Sequence, residues 1–229
     1  MGKIIFVTGT DTDVGKSYVS LLLMQYFYKT GKKPFYLKPF QTGCKNAFDK
    51  YSDAKTIYEN VKELKGQNPE NSVLNCFRNP KAPLFAARDD NLKINYEETL
   101  KKIKTLSRKH ELIIAEGAGG LLVPIDEKHF MIDLIKDLQP RIVLTGRAGL
   151  GTQNHTLLSV RELISNNLKP AKIIFNDING TDEQMIRENI ETVKIFSGFD
   201  VAGIIFKTDN FKNPDYEYLK TFRFEDLLN

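Results

Sequence analysis

Between a short apolar run, Ile4-Ile5-Phe6-Val7, and a stretch carrying Val19, Leu22, Leu23, Tyr26 and Phe27 at helical spacing stands the segment Gly9-Thr10-Asp11-Thr12-Asp13-Val14-Gly15-Lys16-Ser17. Four apolar residues that end at a glycine turn are the pattern of a buried strand. The spacing over residues 16–30, closed by Gly31, is that of an amphipathic helix. A strand, a glycine turn and a helix in this order commit the chain to an α/β layout, because the helix must lie back on the sheet that its strand enters.

The same rhythm continues to the C-terminus. Phe35-Tyr36-Leu37 reads as a second strand ending at Lys38-Pro39, and a helix is expected over residues 53–64. Residues 66–93, rich in Asn, Pro and Asp, read as loops with a short helix. Asn95 has the position of an N-cap for a helix carrying Tyr96, Leu100, Ile103 and Leu106. Leu112-Ile113-Ile114-Ala115 is a further strand, stopped by Glu116-Gly117-Ala118-Gly119-Gly120. Strands at residues 141–145, 172–175 and 201–206 alternate with two helices, one marked by Leu157, Val160, Ile164 and Leu168, the other by Ile186, Ile190 and Val193. The expectation is a mostly parallel sheet with helices on both faces, of the P-loop NTPase type. It forms one domain over residues 1–229, since no linker, repeat or composition break divides the chain.

Composition narrows the function. The net charge is +4 with charges of both signs interspersed, and no Lys/Arg block argues for nucleic acid. A mild positive balance suits small anions. Cys44 and Cys76 form no disulfide framework and offer no metal-ligand spacing. His110, His129 and His155 lie too far apart to pair. The first apolar run is too short for a signal peptide, Phe6 stands where a myristoylation signal needs Ser or Thr, and no apolar run reaches membrane-span length. A cytoplasmic protein without membrane association is expected.

A phosphate-binding loop needs converging backbone N–H groups, glycine where a side chain would block the anion, a lysine for the terminal phosphates and a hydroxyl for Mg²⁺. Gly15-Lys16-Ser17 supplies the end of that pattern and opens a helix whose N-terminus favours anions. Five residues, rather than the common four, separate Gly9 from Gly15. Mg²⁺ takes oxygen ligands, so beside Ser17 at least one carboxylate is required. Glu116 follows an apolar strand, where the carboxyl end of a parallel sheet meets the ligand crevice. Asp53 is a second candidate that could equally be a helix N-cap. Lys38 is a candidate second cation for a phosphoryl-transfer site.

In this order these pieces resemble the dethiobiotin synthetase family. The resemblance rests on residues 7–17, Lys38-Pro39 with Thr42-Gly43, Ser52-Asp53-Ala54 and Pro80-Lys81-Ala82-Pro83. It continues through Glu116-Gly117-Ala118-Gly119-Gly120 with Pro124, Gly151-Thr152-Gln153-Asn154-His155 and Asn176-Asp177. The five-residue loop spacing is itself a feature of that family. The resemblance implies an ATP-dependent cyclo-ligase acting on diaminopelargonic acid and CO₂. One of two neighbouring amines becomes a carbamate, ATP phosphorylates it, and the second amine closes the ureido ring and expels phosphate.

By the same resemblance Lys16, Lys38 and Thr12 serve catalysis, and Ser17, Asp53 and Glu116 hold Mg²⁺. Asp13, Val14, Gly15, Lys16, Ser17, Tyr18, Glu116 and Asn176 bind the nucleotide, with Asn176 meeting adenine. ATP is favoured over GTP because the guanine-reading Asn-Lys-x-Asp pattern is missing: Asp177 follows Asn176 directly. Thr42, Gly117, Ala118, Leu150, Gly151 and Asn154 contact substrate, the last three across the boundary of a homodimer. Three departures stand out: Thr42 replaces a family serine, Asp13 a glutamate, and Ile204-Ile205-Phe206-Lys207 a Pro-bearing loop that helps enclose the base.

Overall fold

The computed structural model describes residues 2–206 and 214–229. Its strands are β1 (Lys3–Gly9), β2 (Phe35–Thr42), β3 (Val73–Phe77), β4 (Leu112–Gly120), β5 (Arg141–Arg147), β6 (Pro170–Asp177) and β7 (Val201–Phe206). They form one sheet in the order β3-β2-β4-β1-β5-β6-β7, and every neighbouring pair is parallel. The helices are α1 (Lys16–Lys29), α2 (Asp53–Asn60), α3 (Pro83–Asp89), α4 (Tyr96–Lys109), α5 (Met131–Leu138), α6 (Thr152–Ser165), α7 (Glu183–Ser197) and α8 (Tyr216–Lys220).

Successive strand residues point to opposite faces, so a sheet covered twice needs apolar residues at every position. In β1, Ile5 and Val7 pack with Val19, Leu22 and Phe27 of α1 and with Phe222 and Phe224 near the C-terminus. Phe6 packs on the other face with Ile103 of α4 and Leu134 of α5. In β4, Ile114 goes to the first face, Ile113 and Ala115 to the second. Leu144, Phe175, Val160 and Val193 form a third cluster beneath α6 and α7. Doubly wound sheets of this kind bind ligands at the carboxyl ends of their strands, where strand order reverses about β1.

Several elements depart from the expectation. The loop-rich region contains a strand, β3, at the edge of the sheet. Strand β2 runs past Lys38-Pro39 to Thr42, so Lys38 is in mid-strand and buried rather than at a strand end. Its ladder with β4 covers Phe35 to Leu37, and its ladder with β3 begins at Lys38. The proline thus marks an exchange of partners, where a missing N–H is tolerated. Strand β4 does not stop at Glu116, which pairs with Val7 inside it. The helix expected over 53–64 breaks at Val61 into α2 and a short 3₁₀ turn, Lys62–Leu64. Leu168 lies beyond the end of α6, and helix α5 was not anticipated. Within the departure after Gly203, Ile204, Ile205 and Phe206 belong to β7, while Lys207 lies outside the described residues.

Candidate active site

The turn from β1 into α1 is held by two glycines for different reasons. A Cβ on Gly9 would meet Val14 and the Asp11 carbonyl within 2.8 Å. Gly15 has φ +94°, and an added Cβ would run into the Asn176 amide. Asp13 also takes a left-handed conformation, φ +54°. Among the described residues, no backbone or side-chain acceptor takes the N–H groups of residues 13–17. These are the orphan donors of a helix start, beside the helix's positive end. Lys16 donates from Nζ to the Asp11 carbonyl at 2.9 Å. Burial, with Lys38 nearby, pulls its pKa down to about 8.

Below this loop, four elements, α1, β2, α2 and β4, bring a compact polar cluster together. Ser17 Oγ lies 2.6 Å from Asp53 Oδ1 and 2.8 Å from Glu116 Oε1. Lys38 Nζ lies 2.7 Å from Glu116 Oε1, 2.8 Å from Asp53 Oδ2 and 3.1 Å from the Gly117 carbonyl. Burial opposes the charge on Lys38, yet the carboxylates of Asp53 and Glu116 prevail and hold its pKa above the ordinary lysine value. Burial likewise works against the charge on Asp53, and Lys38 reverses it, so its pKa falls below the usual range. Asp53 is not the N-cap of α2: Ser52 is, accepting from the Lys55 N–H. The Asp53 side chain is therefore free for the cluster.

Two residues without a marked motif complete the arrangement. Tyr36 donates from its hydroxyl to Glu116 Oε2 at 2.9 Å, and Gln41 Oε1 accepts from the Asp53 N–H at 2.9 Å. Fully buried Glu116 thus has both oxygens engaged. Arg147, at the end of β5, donates to the Thr12 carbonyl at 3.3 Å and sits 3.8 Å from Asp11, placing an exposed cation against the loop. Nothing in the sequence marks these three beyond their place near strand ends. Alternation along β2 puts Lys38 and Tyr36 on one face, the only cue available.

The donor set fits Mg²⁺. Ser17 has one hydroxyl proton but two carboxylate oxygens within 2.8 Å, so one oxygen pair must face without a proton between them. A hard cation among these oxygens removes that conflict, and a hydroxyl with carboxylates is the ligand chemistry Mg²⁺ prefers.

The cluster forms the floor of a cavity of about 810 Å³. Thr12, Asp13, Gly15, Lys16 and Ser17 line it from β1–α1, and Lys38, Thr42, Asp53, Glu116 and Ala118 from the other elements. Phe40, Gln41, Tyr51, Pro80 and Lys81 also line it. Other expected site residues lie elsewhere. Val14 is buried, and Tyr18 packs against the main core. Gly117 is below the floor, where an added Cβ would sit 3.0 Å from the Phe6 ring. Asn176 is buried against the loop and donates to the Val14 carbonyl at 3.3 Å. Leu150, Gly151 and Asn154 stand exposed at the start of α6, outside this cavity, with Leu150 90% exposed.

A parallel sheet carrying a glycine turn, a loop lysine and a buried hydroxyl–carboxylate cluster at its carboxyl edge defines a P-loop nucleotide-binding protein. A family model described as an AAA domain matches residues 3–215. The ATP-dependent dethiobiotin synthetase of Methanocaldococcus jannaschii is 36% identical over 213 residues, covering 91% of this chain and 96% of that protein. That of Clostridium perfringens is 31% identical, covering 96% and 97%. The chain belongs to the ATP-dependent dethiobiotin synthetase family, ligases of biotin synthesis. Among solved structures, a plasmid partition protein of Borrelia burgdorferi bound to AMPPNP superposes with TM-score 0.61 at 15% identity, covering 100% of this chain and 97% of that one, which shows a shared fold.

Proposed function

We propose that the cavity carries out the ATP-dependent carboxylation and ring closure of diaminopelargonic acid. The observation that carries this reading is the Lys16–Ser17–Lys38–Asp53–Glu116 cluster at the junction between phosphate loop and open cavity. One side is built for a polyphosphate, the other has room for a small organic substrate. The N–H groups of residues 13–17 and Lys16 bind the phosphates, and Asn176 braces the loop beside the position assigned to adenine. Ser17, Asp53 and Glu116 would hold Mg²⁺, which when bound would supply charge neutralisation to the phosphates.

A carbamate formed from the diamine and CO₂ is a weak nucleophile that must meet the γ-phosphate in line. Catalysis is then positioning plus neutralisation of developing charge. Lys38 is suited to that task because its two carboxylate partners keep it an ammonium. Lys16 faces the same phosphoryl group from the loop, and Thr12 and Thr42 both line the cavity. Phosphate leaves when the second amine attacks the carbamoyl carbon.

The enzyme acts as a homodimer in the cytoplasm, where ATP is supplied. Leu122 and Leu158, 57% and 55% exposed, line a shallow depression with His155 beside Thr10 and Asp11 of the phosphate loop. A second copy docking there brings Leu150, Gly151 and Asn154 close to its partner's cavity, the helix N-terminus facing the substrate's carboxylate. The test is phosphate release from ATP, Mg²⁺ and bicarbonate, with and without diaminopelargonic acid. Release that depends on the diamine is expected. Equal release without it would point to a nucleotide switch instead.

A further inference from the structure

Cys44 and Cys76 are the chain's two cysteines, and the chemistry above uses neither. Gly43, at φ +81° with Pro80 against it, turns the chain just past β2. Residues 42–44 then lie along residues 77–79: Gly43 N–H donates to the Asn79 carbonyl at 3.1 Å, and Cys44 N–H to the Phe77 carbonyl at 3.3 Å. These bonds lie just past the last β2–β3 pair, Thr42 with Phe77, and two free thiols 32 positions apart come to an Sγ–Sγ distance of 3.5 Å. Cys44 is buried and Cys76 half-buried. Thr42 and Pro80, which flank the pair in sequence and space, both line the cavity.

We propose that Cys44 and Cys76 are a reversible thiol–disulfide pair, and that its oxidation by a low-molecular-weight disulfide locks residues 42–44 onto the edge strand β3. Cys76 is the attacking thiol because it is the more accessible. A hydrogen bond from Cys44 also lowers its pKa against the effect of burial, while the same bond and burial raise that of Cys44. The Cys76 thiolate attacks one sulfur of glutathione disulfide, breaks its S–S bond and expels one glutathione thiolate. Cys44, losing its proton, then attacks the Cys76 sulfur of the mixed disulfide and expels the second. The two cysteines lose two electrons, glutathione disulfide gains them, and the two thiol protons end on two glutathiones.

Bond formation at about 2.05 Å draws the sulfurs together by about 1.5 Å. Among the described residues strand β3 pairs with β2 alone, so the shift falls on residues 42–44 and 77–80, the substrate wall, and not on the phosphate loop. Oxidised protein is therefore expected to keep its nucleotide affinity and to bind the second substrate less well.

The test equilibrates the reduced protein and its Cys76→Ser variant in a glutathione buffer with the disulfide form in excess. The expected result is a mass loss of two hydrogens, a Cys44–Cys76 linked peptide and resistance of both thiols to alkylation, all reversed by dithiothreitol and absent from C76S. Hydrogen exchange over residues 42–46 should slow, and KM for the diamine should rise at least about threefold with the Kd for ATP unchanged. Thiols that remain alkylatable, persistent glutathione adducts or a link between chains would overturn the proposal. So would a disulfide that alters neither exchange nor KM. The mass, alkylation and exchange readings need no turnover, so a reduced enzyme without diamine-dependent phosphate release would count against the synthetase reading and leave the thiol pair to be decided by those three.

Discussion

Lys38 bonds both carboxylates directly, with Lys16 the next cation near them, and its removal has consequences beyond catalysis. In the nucleotide-free protein, Lys38→Ala leaves Asp53 and Glu116 facing each other in a buried site. Breaking such a pair costs about 3–5 kcal/mol. Thermal unfolding should show that loss, and Mg²⁺ with ATP should restore much of it by supplying replacement charge. Turnover should nearly vanish while ATP binding survives. Equal loss of both would mean that Lys38 serves folding or binding alone.

Lys16 carries the opposite imbalance. In folded, nucleotide-free protein its pKa is about 8 against an ordinary 10.5, so the unfolded chain holds this proton more tightly. Below pH 8 the buried ammonium exerts its full cost. Between 8 and 10.5 the unfolded state binds more protons, and the site's contribution to stability rises with pH, by on the order of 3 kcal/mol across the window. Chemical denaturation of the metal-free protein should show that rise relative to Lys16→Met. Parallel pH profiles for the two proteins would contradict the assignment.

The strand–turn–helix at the start of the chain was legible because its pattern is local: an apolar run, glycines where the backbone must turn, and helical spacing. Gly15→Ala tests it, since φ +94° and the Asn176 amide both oppose a Cβ there. ATP affinity, measured calorimetrically, should fall at least about tenfold, with a stability loss of about 1–2 kcal/mol from the left-handed backbone. The elements that escaped are those whose stability is not local. Strand β3 carries Asn75, a poor strand former, but here its amide donates to the Pro39 carbonyl at 3.0 Å and to Thr99 Oγ1 at 3.2 Å. Lys38 and Glu116 resemble strand ends because buried charge inside a sheet is costly, and their pairing with each other, with Asp53 and with the Tyr36 hydroxyl offsets that cost. Tyr36, Gln41 and the Cys44–Cys76 approach were illegible for the same reason: each depends on a partner far away in sequence.

For the whole molecule, alternation of strands and helices was enough to give a doubly covered parallel sheet, because each face requires its own apolar residues. We propose that the chain unfolds as one cooperative unit, with core and site signals lost in a single transition. We propose that the homodimer forms through exposed apolar residues near the phosphate loop, Leu122 and Leu158. Leu158→Glu should convert the dimer to monomer in sedimentation and lower kcat/KM for the diamine, leaving the fold intact by circular dichroism. A wild-type protein that sediments as a monomer at all concentrations would remove that part of the account.

Phosphorylation in this site of a carbamate made from CO₂ is tested most directly by the fate of the carbon-dioxide oxygens. Phosphoryl transfer to the carbamate followed by ring closure leaves one carbon-dioxide-derived oxygen on the released phosphate. With ATP, Mg²⁺, diaminopelargonic acid and bicarbonate labelled with heavy oxygen, mass spectrometry should find the label in phosphate within the first turnovers, and only when the diamine is present. Unlabelled phosphate, released at the same rate with or without the diamine, would contradict the account.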